Sequence, residues 1–158
     1  MKNNLKKIAV TIPCHNEAVA ISGVVSAFAN AIPEADIFVY DNVSTDGTAE
    51  IAKKSGAIVC TEPNKGKGNV VRRMFADIDA DIYVIVDGDG TYDASKCSEM
   101  IRRLVDNNLD MVTATRKAIN SKDAYRPGHI FGNWVLTRAV SYLFGHGFTD
   151  MLSGYRVM

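Results

Sequence analysis

The sequence predicts an α/β fold of three layers, with a mostly parallel central sheet covered by helices on both faces. Three observations predict it. Short apolar, β-branched runs alternate with segments of helical periodicity along residues 1–116. Several runs are apolar at every position, which suits strands buried on both sides. Polar and glycine-rich residues gather directly behind the runs, where open α/β sheets bind their ligands.

The elements follow in order. "IAVTIP" (8–13) reads as a first strand stopped by Pro13. Residues 17–32 have Val19, Ala20, Val24, Phe28 and Ala31 near helical spacing. "DIFVYDN" (36–42) is a second strand. Asp46 or Thr45 can cap the next helix, "TAEIAKKSG", with Gly56 at its stop. A third strand is "AIVCTE" (57–62), followed by a helix over 68–79 and a fourth strand, "DIYVIVD" (81–87). The spacing of Cys97, Met100, Ile101, Leu104 and Val105 predicts a helix over 94–107, and "DMVTATR" (110–116) is a fifth strand. Residues 120–128 read as a polar loop, and "HIFGNWVLTRAVSYLFG" (129–145) as the most apolar helix of the chain. The whole reads as one domain, 1–158. Residues 1–116 form its ligand-binding part, and 117–158 a second part.

Composition narrows the function. The chain is 47% hydrophobic, enough for a core, and its 18 basic and 18 acidic residues cancel. That balance gives no sign of a nucleic-acid partner. Cys14, Cys60 and Cys97 are scattered without zinc or CxxC spacing, as free thiols in a reducing compartment are. The N-terminus lacks the apolar core of a signal peptide. No window reaches the roughly 18 uninterrupted apolar residues that cross a bilayer. The expectation is a soluble, cytoplasmic chain.

The special residues sort to the strand ends. "VIVDGDGTYD" (84–93) puts Asp87 and Asp89 behind an apolar strand. Such hard oxygen ligands suit Mg²⁺ or Mn²⁺ held against a diphosphate. Asp93 is the natural cap of the following helix. Gly88 and Gly90 keep the turn open for a diphosphate to approach the backbone. A second chemistry uses the same pattern: Asp87 as a phosphatase nucleophile with Asp89 as acid/base, as in the haloacid dehalogenases. That family carries the motif on its first strand, and here it follows the fourth. "DNVSTDGT" (41–48) ends a strand with Asp41, placed to accept from a base or ribose, while Ser44, Thr45 and Asp46 suit capping. "PCHNE" (13–17) brings Pro13, His15 and Glu17 to the end of the first strand. "NKGKG" (64–68) offers Lys67 and a helix N-terminus to phosphate. It is not a Walker A loop, because Gly68 follows Lys67. No GxGxxG follows the first strand, so a nicotinamide site is unsupported.

These pieces in this order resemble the family 2 glycosyltransferases of the GT-A fold: "TIPCHNE", "DNVSTDGT", "NKGKG" and the DxD of "DGDGTYD". "RPGHIFGNWVLTRAVSYLFG" and "TDMLSGYRVM" resemble the polyprenyl-phosphate branch, with its dolichyl-phosphate mannose synthases and bactoprenol glucosyltransferases. The resemblance implies a metal-dependent, inverting transfer of sugar from a UDP- or GDP-sugar to a polyprenyl phosphate. Pro13, His15, Glu17 and Asp41 would line the base and ribose pocket, with Lys67 near the donor. Asp87 and Asp89 would bracket Mg²⁺ or Mn²⁺ and the sugar diphosphate. Arg116, Arg126 and Arg156 would face diphosphate or acceptor phosphate. Asp89 and Asp150 would be the catalytic carboxylates, Asp150 beside the acceptor.

An alternative is transfer to a saccharide hydroxyl, for which Asp150 would be the base. A sugar-1-phosphate nucleotidylyltransferase lacks its glycine-rich signature here. Members of the branch continue past "SGYR", so a shortened chain with an incomplete, inactive acceptor half is expected. The intact protein would then associate with the cytoplasmic face of a membrane. Residues 129–145 would pack in the core, lie on a membrane surface, or drive self-association.

Overall fold

A computed structural model describes residues 6–114, 138, 142 and 153–158. Six strands form one sheet in the order β3-β2-β1-β4-β6-β5. They are β1 (Ile8–Cys14), β2 (Asp36–Asp41), β3 (Ile58–Thr61), β4 (Ile82–Ile85), β5 (Val112–Thr113) and β6 (Arg156–Val157). The helices are α1 (Ile21–Ala31), α2 (Thr48–Lys54), α3 (Lys67–Asp77) and α4 (Cys97–Asp106), the last preceded by a 3-10 turn at Ala94–Lys96. The first four strands are parallel, and β6 runs antiparallel between β4 and β5. This is the mostly parallel, helix-flanked sheet that the apolar runs predict.

The period of two along β1 sorts the layers. Ile8, Val10 and Ile12 join a core built with Ile21, Val24 and Phe28 of α1 and Met100 and Leu104 of α4. Ala9 faces the other way, into a smaller core with Val70 and Met74 of α3. All seven residues of β1 are buried. Each large apolar side chain removed from water contributes about 1.5–3 kcal/mol. The buried Thr11 hydroxyl of this strand donates to the Val84 carbonyl at 3.2 Å, which offsets its desolvation.

Four expectations change. The first helix begins at Ile21 rather than residue 17: residues 18–20 form a turn in which the Glu17 carbonyl accepts from the Ala20 and Ile21 N–H groups at 3.1 and 3.0 Å. Val19, placed on its buried face by spacing, is therefore fully exposed. The helix over 94–107 is split by its opening 3-10 turn, where Asp93 accepts from the Ser95 N–H at 2.9 Å. The last residues add the unexpected strand β6, with Val84 opposite Val157 and Ile85 opposite Arg156. Arg138 and Tyr142 are helical and exposed; the rest of 129–145 lies outside the described residues. Among the described residues no helix is long and apolar enough to cross a membrane.

Candidate functional site

Parallel strands in the order 3-2-1-4 deliver the carboxyl ends of β1, β2 and β4 to one edge of the sheet. A cleft of ≈ 270 Å³ opens there. It gathers six residues singled out by sequence: Pro13, His15, Glu17, Lys67, Asp87 and Asp89. It also includes Gly88, and adds Cys14, Asn42 and Val70, which sequence reasoning did not assign. Asp41 does not line the cleft and is buried beside it, 5% exposed. Its Oδ2 accepts from the Ser44 N–H at 3.1 Å, while Oδ1 is buried without a partner. A buried carboxylate oxygen in that condition carries an unmet hydrogen-bonding capacity.

The loops behind β1 and β2 are stitched together. The Asn16 N–H donates to Ser44 Oγ at 2.9 Å, and Asn16 Oδ1 accepts from the Thr45 N–H at 2.9 Å. Asp46 accepts from the Ala18 and Thr48 N–H groups at 3.0 and 3.1 Å. Ser44, Thr45 and Asp46 thus join the two loops, while the N-cap of α2 is Gly47, without a side-chain cap bond, rather than the expected Asp46 or Thr45. His15 Nδ1 lies 2.8 Å from the Asn42 carbonyl oxygen. A carbonyl only accepts, so Nδ1 carries the proton and Nε2 is the acceptor of the neutral ring.

Asn42 positions the lysine loop. Its Nδ2 donates to the carbonyls of Glu62 and Asn64 at 2.8 and 2.9 Å, and its Oδ1 accepts from the Gly66 N–H at 2.8 Å. Gly66, at a φ of 124°, then turns the chain into α3 with Lys67 first in the helix. The Lys67 ammonium pairs with Asp87. The sequence signal for Asn42 was present, a polar residue directly behind Asp41, but its partners are distant in the chain.

Asp87 is 21% exposed, and Asp89 is exposed, with Oδ1 taken by the Thr91 N–H and hydroxyl at 3.0 and 2.7 Å. Gly88 has a packing reason beside the expected one. A Cβ there would stand 2.5 Å from Cys14 Sγ, so the glycine makes room for the thiol. Gly90, with a φ of 76°, makes the turn itself. Burial pushes the Cys14 thiol up to about 12, reinforced by Glu17, Asp41, Asp87 and Asp46, so it is no nucleophile. Partial desolvation, then Asp89, Asp46 and Asp87, hold the Glu17 carboxyl above its usual range.

Acid therefore exceeds base around the cleft. Only Lys67 among its lining residues offsets Glu17, Asp87 and Asp89. A diphosphate would meet repulsion there unless a cation came with it. Among the described residues no three His, Cys, Asp or Glu side chains form a metal cage. Two carboxylates at an open mouth fit the mode in which Mg²⁺ or Mn²⁺ takes its remaining ligands from substrate phosphate.

Arg156 lies on β6 and does not line the cleft; its Nε donates to the Ser153 carbonyl at 3.1 Å. Arg116, Arg126 and Asp150 lie outside the described residues.

The profile described as "Glycosyl transferase family 2" matches residues 9–158. "Protein RfbJ" of Shigella flexneri is 57% identical over 122 residues, 77% of this chain and 95% of that protein. "Glycosyltransferase AglJ" of Haloferax volcanii is 36% identical over 150 residues, 94% of this chain but 49% of its own length. "Undecaprenyl-phosphate mannosyltransferase" of Micrococcus luteus is 23% identical over 168 residues, 95% of this chain and 65% of its own. The fold also matches glucosyl-3-phosphoglycerate synthase of Mycobacterium tuberculosis, solved with Mn²⁺, uridine-diphosphate-glucose and phosphoglyceric acid. That match has a TM-score of 0.77 at 20% identity and covers 97% of this chain and 56% of the other.

Proposed function

The chain belongs to glycosyltransferase family 2, and from that premise we propose that its cleft holds a nucleoside-diphosphate sugar and passes the sugar to a polyprenyl phosphate. The observation that carries the donor half is the convergence of Asp87, Asp89 and Lys67 with the ends of β1 and β2 in one cleft. Family membership leaves no support for Asp87 as a phosphatase nucleophile.

The base lies against Pro13 and His15, with the unpartnered Asp41 oxygen accepting from a ring or ribose donor. Lys67 turns from Asp87 to the diphosphate, where its ammonium and the start of α3 offset phosphate charge. Asp87 and Asp89 would hold a divalent cation, whose charge would offset what builds on the departing nucleoside diphosphate. An acceptor phosphate oxygen attacks the anomeric carbon from the opposite face. The bond from that carbon to the β-phosphate oxygen breaks, its electron pair leaves with the nucleoside diphosphate, and configuration inverts. Phosphate is already ionised at neutral pH, so no strong base is needed. Asp150 orients the acceptor, and Arg116, Arg126 and Arg156 meet its phosphate; these roles rest on resemblance. The polyprenyl acceptor is supported by that resemblance and by the name of the Micrococcus luteus relative.

Incubation with a labelled UDP- or GDP-sugar, undecaprenyl phosphate and Mn²⁺ tests the proposal. Label entering the organic phase is the expected result. Label moving only into water-soluble saccharide would favour the hydroxyl-acceptor reading instead.

A further inference from the structure

Resting on the donor-site reading above, we propose that Tyr92 is a positioning residue for Asp87, acting through Gly154. The DGDG turn runs from Asp87 to Gly90, with Asp87 paired to Lys67 and Asp89 Oδ1 accepting from the Thr91 N–H and hydroxyl. Its start is tied by the Val86 N–H to the Thr11 carbonyl at 3.1 Å, and its far side by the Asp93 cap. Between these, Tyr92 Oη accepts from the Gly154 N–H at 2.7 Å. The Tyr92 ring packs edge-on against Tyr155, with centroids 5.5 Å apart, and Tyr155 is buried against Phe28 of α1. Ser153 braces the same segment: its Oγ accepts from the Tyr155 N–H at 3.3 Å.

The clamp bears on the acid. Gly154 lies against the Asp87 carboxylate so closely that a Cβ on Gly154 would overlap its oxygens. The register of β4 with β6, carried two residues onward, places Gly154 opposite Asp87. A backbone with no side chain therefore forms one wall of the carboxylate, and the Tyr92 hydroxyl holds that wall in place. Loss of residues that orient a metal-binding carboxylate typically lowers metal affinity by about 10–100-fold.

Tyr92→Phe keeps the ring and removes the hydroxyl. Titrations of Mn²⁺ into the UDP complex and of UDP without metal, together with thermal unfolding, test the role. The expected result is Mn²⁺ affinity lowered about tenfold, with metal-free UDP affinity and unfolding midpoint nearly unchanged. Equal Mn²⁺ affinity in variant and wild type overturns this inference alone. A parallel loss of Mn²⁺ affinity, metal-free UDP affinity and unfolding midpoint also overturns it, since that is the signature of a purely structural bond. Absence of Mn²⁺-dependent binding in the wild type overturns the donor-site reading and this inference with it.

Discussion

Gly154 stands against the carboxylate of Asp87, in the space where any other residue would put its Cβ. The acid that leads the DGDG turn thus depends on a residue near the far end of the chain. Gly154→Ala forces one of the two to move. Overpacking of this kind costs about 1–3 kcal/mol. Denaturant unfolding of the variant is expected to show that loss, with weaker Mn²⁺ binding because Asp87 is displaced.

Gly88 and Cys14 form a second pair in which one residue's size sets the other. A Cβ on Gly88 would stand 2.5 Å from Cys14 Sγ. Gly88→Ala alone should destabilise the fold by about 1–3 kcal/mol. In combination with Cys14→Ala, which vacates the space, most of that loss should return. A double-mutant cycle measures the coupling. Additive losses would mean that ligand approach, not the thiol, requires the glycine.

The Lys67 ammonium pairs with Asp87 while standing first in α3. Lys67→Met should lower nucleoside-diphosphate affinity about tenfold, the scale of one charge-assisted hydrogen bond. Isothermal titration against UDP and GDP reads it directly. The same substitution removes the cation nearest Asp87, so Mn²⁺ affinity without nucleotide should hold or rise rather than fall.

Glu17 carries the pH dependence of the cleft. Its carboxyl is held above the ordinary glutamate range by desolvation and by Asp89, Asp46 and Asp87. The folded chain therefore binds its proton more tightly than the unfolded chain. Stability contributed by this group is lost as pH rises from the ordinary glutamate value through the raised one. Glu17→Gln removes that penalty. It should unfold at a higher temperature than wild type at neutral pH, and at the same temperature once the pH lies below the ordinary glutamate value.

Much of the site was legible in the sequence because parallel topology does the gathering. Once the apolar runs are read as neighbouring parallel strands, Pro13, Asp41 and Asp87 must share one edge, whatever the details. Glu17 and Lys67 follow, since each opens the connection out of such a strand. What stayed hidden depends on contacts distant in sequence. The strand β6 has two residues and no pattern of its own, and its place between β4 and β5 comes from pairing alone. Asn42 looks like a bystander to Asp41 until its three bonds to the 62–66 loop are seen. The turn over residues 18–20 delays α1 to Ile21 and leaves Val19 in water, against its apolar spacing. The packing of Gly88 against Cys14 is likewise a contact distant in sequence.

The central claim is that Asp87 and Asp89 hold a divalent cation against a bound nucleoside diphosphate. Calorimetric titration of UDP and GDP, with and without Mn²⁺, into wild type and Asp89→Ala tests it most directly. The account predicts that wild type binds one of the two at least about tenfold more tightly with Mn²⁺, and that Asp89→Ala loses most of this enhancement. Asp89→Ala binding the nucleotide with the same metal dependence as wild type would contradict it.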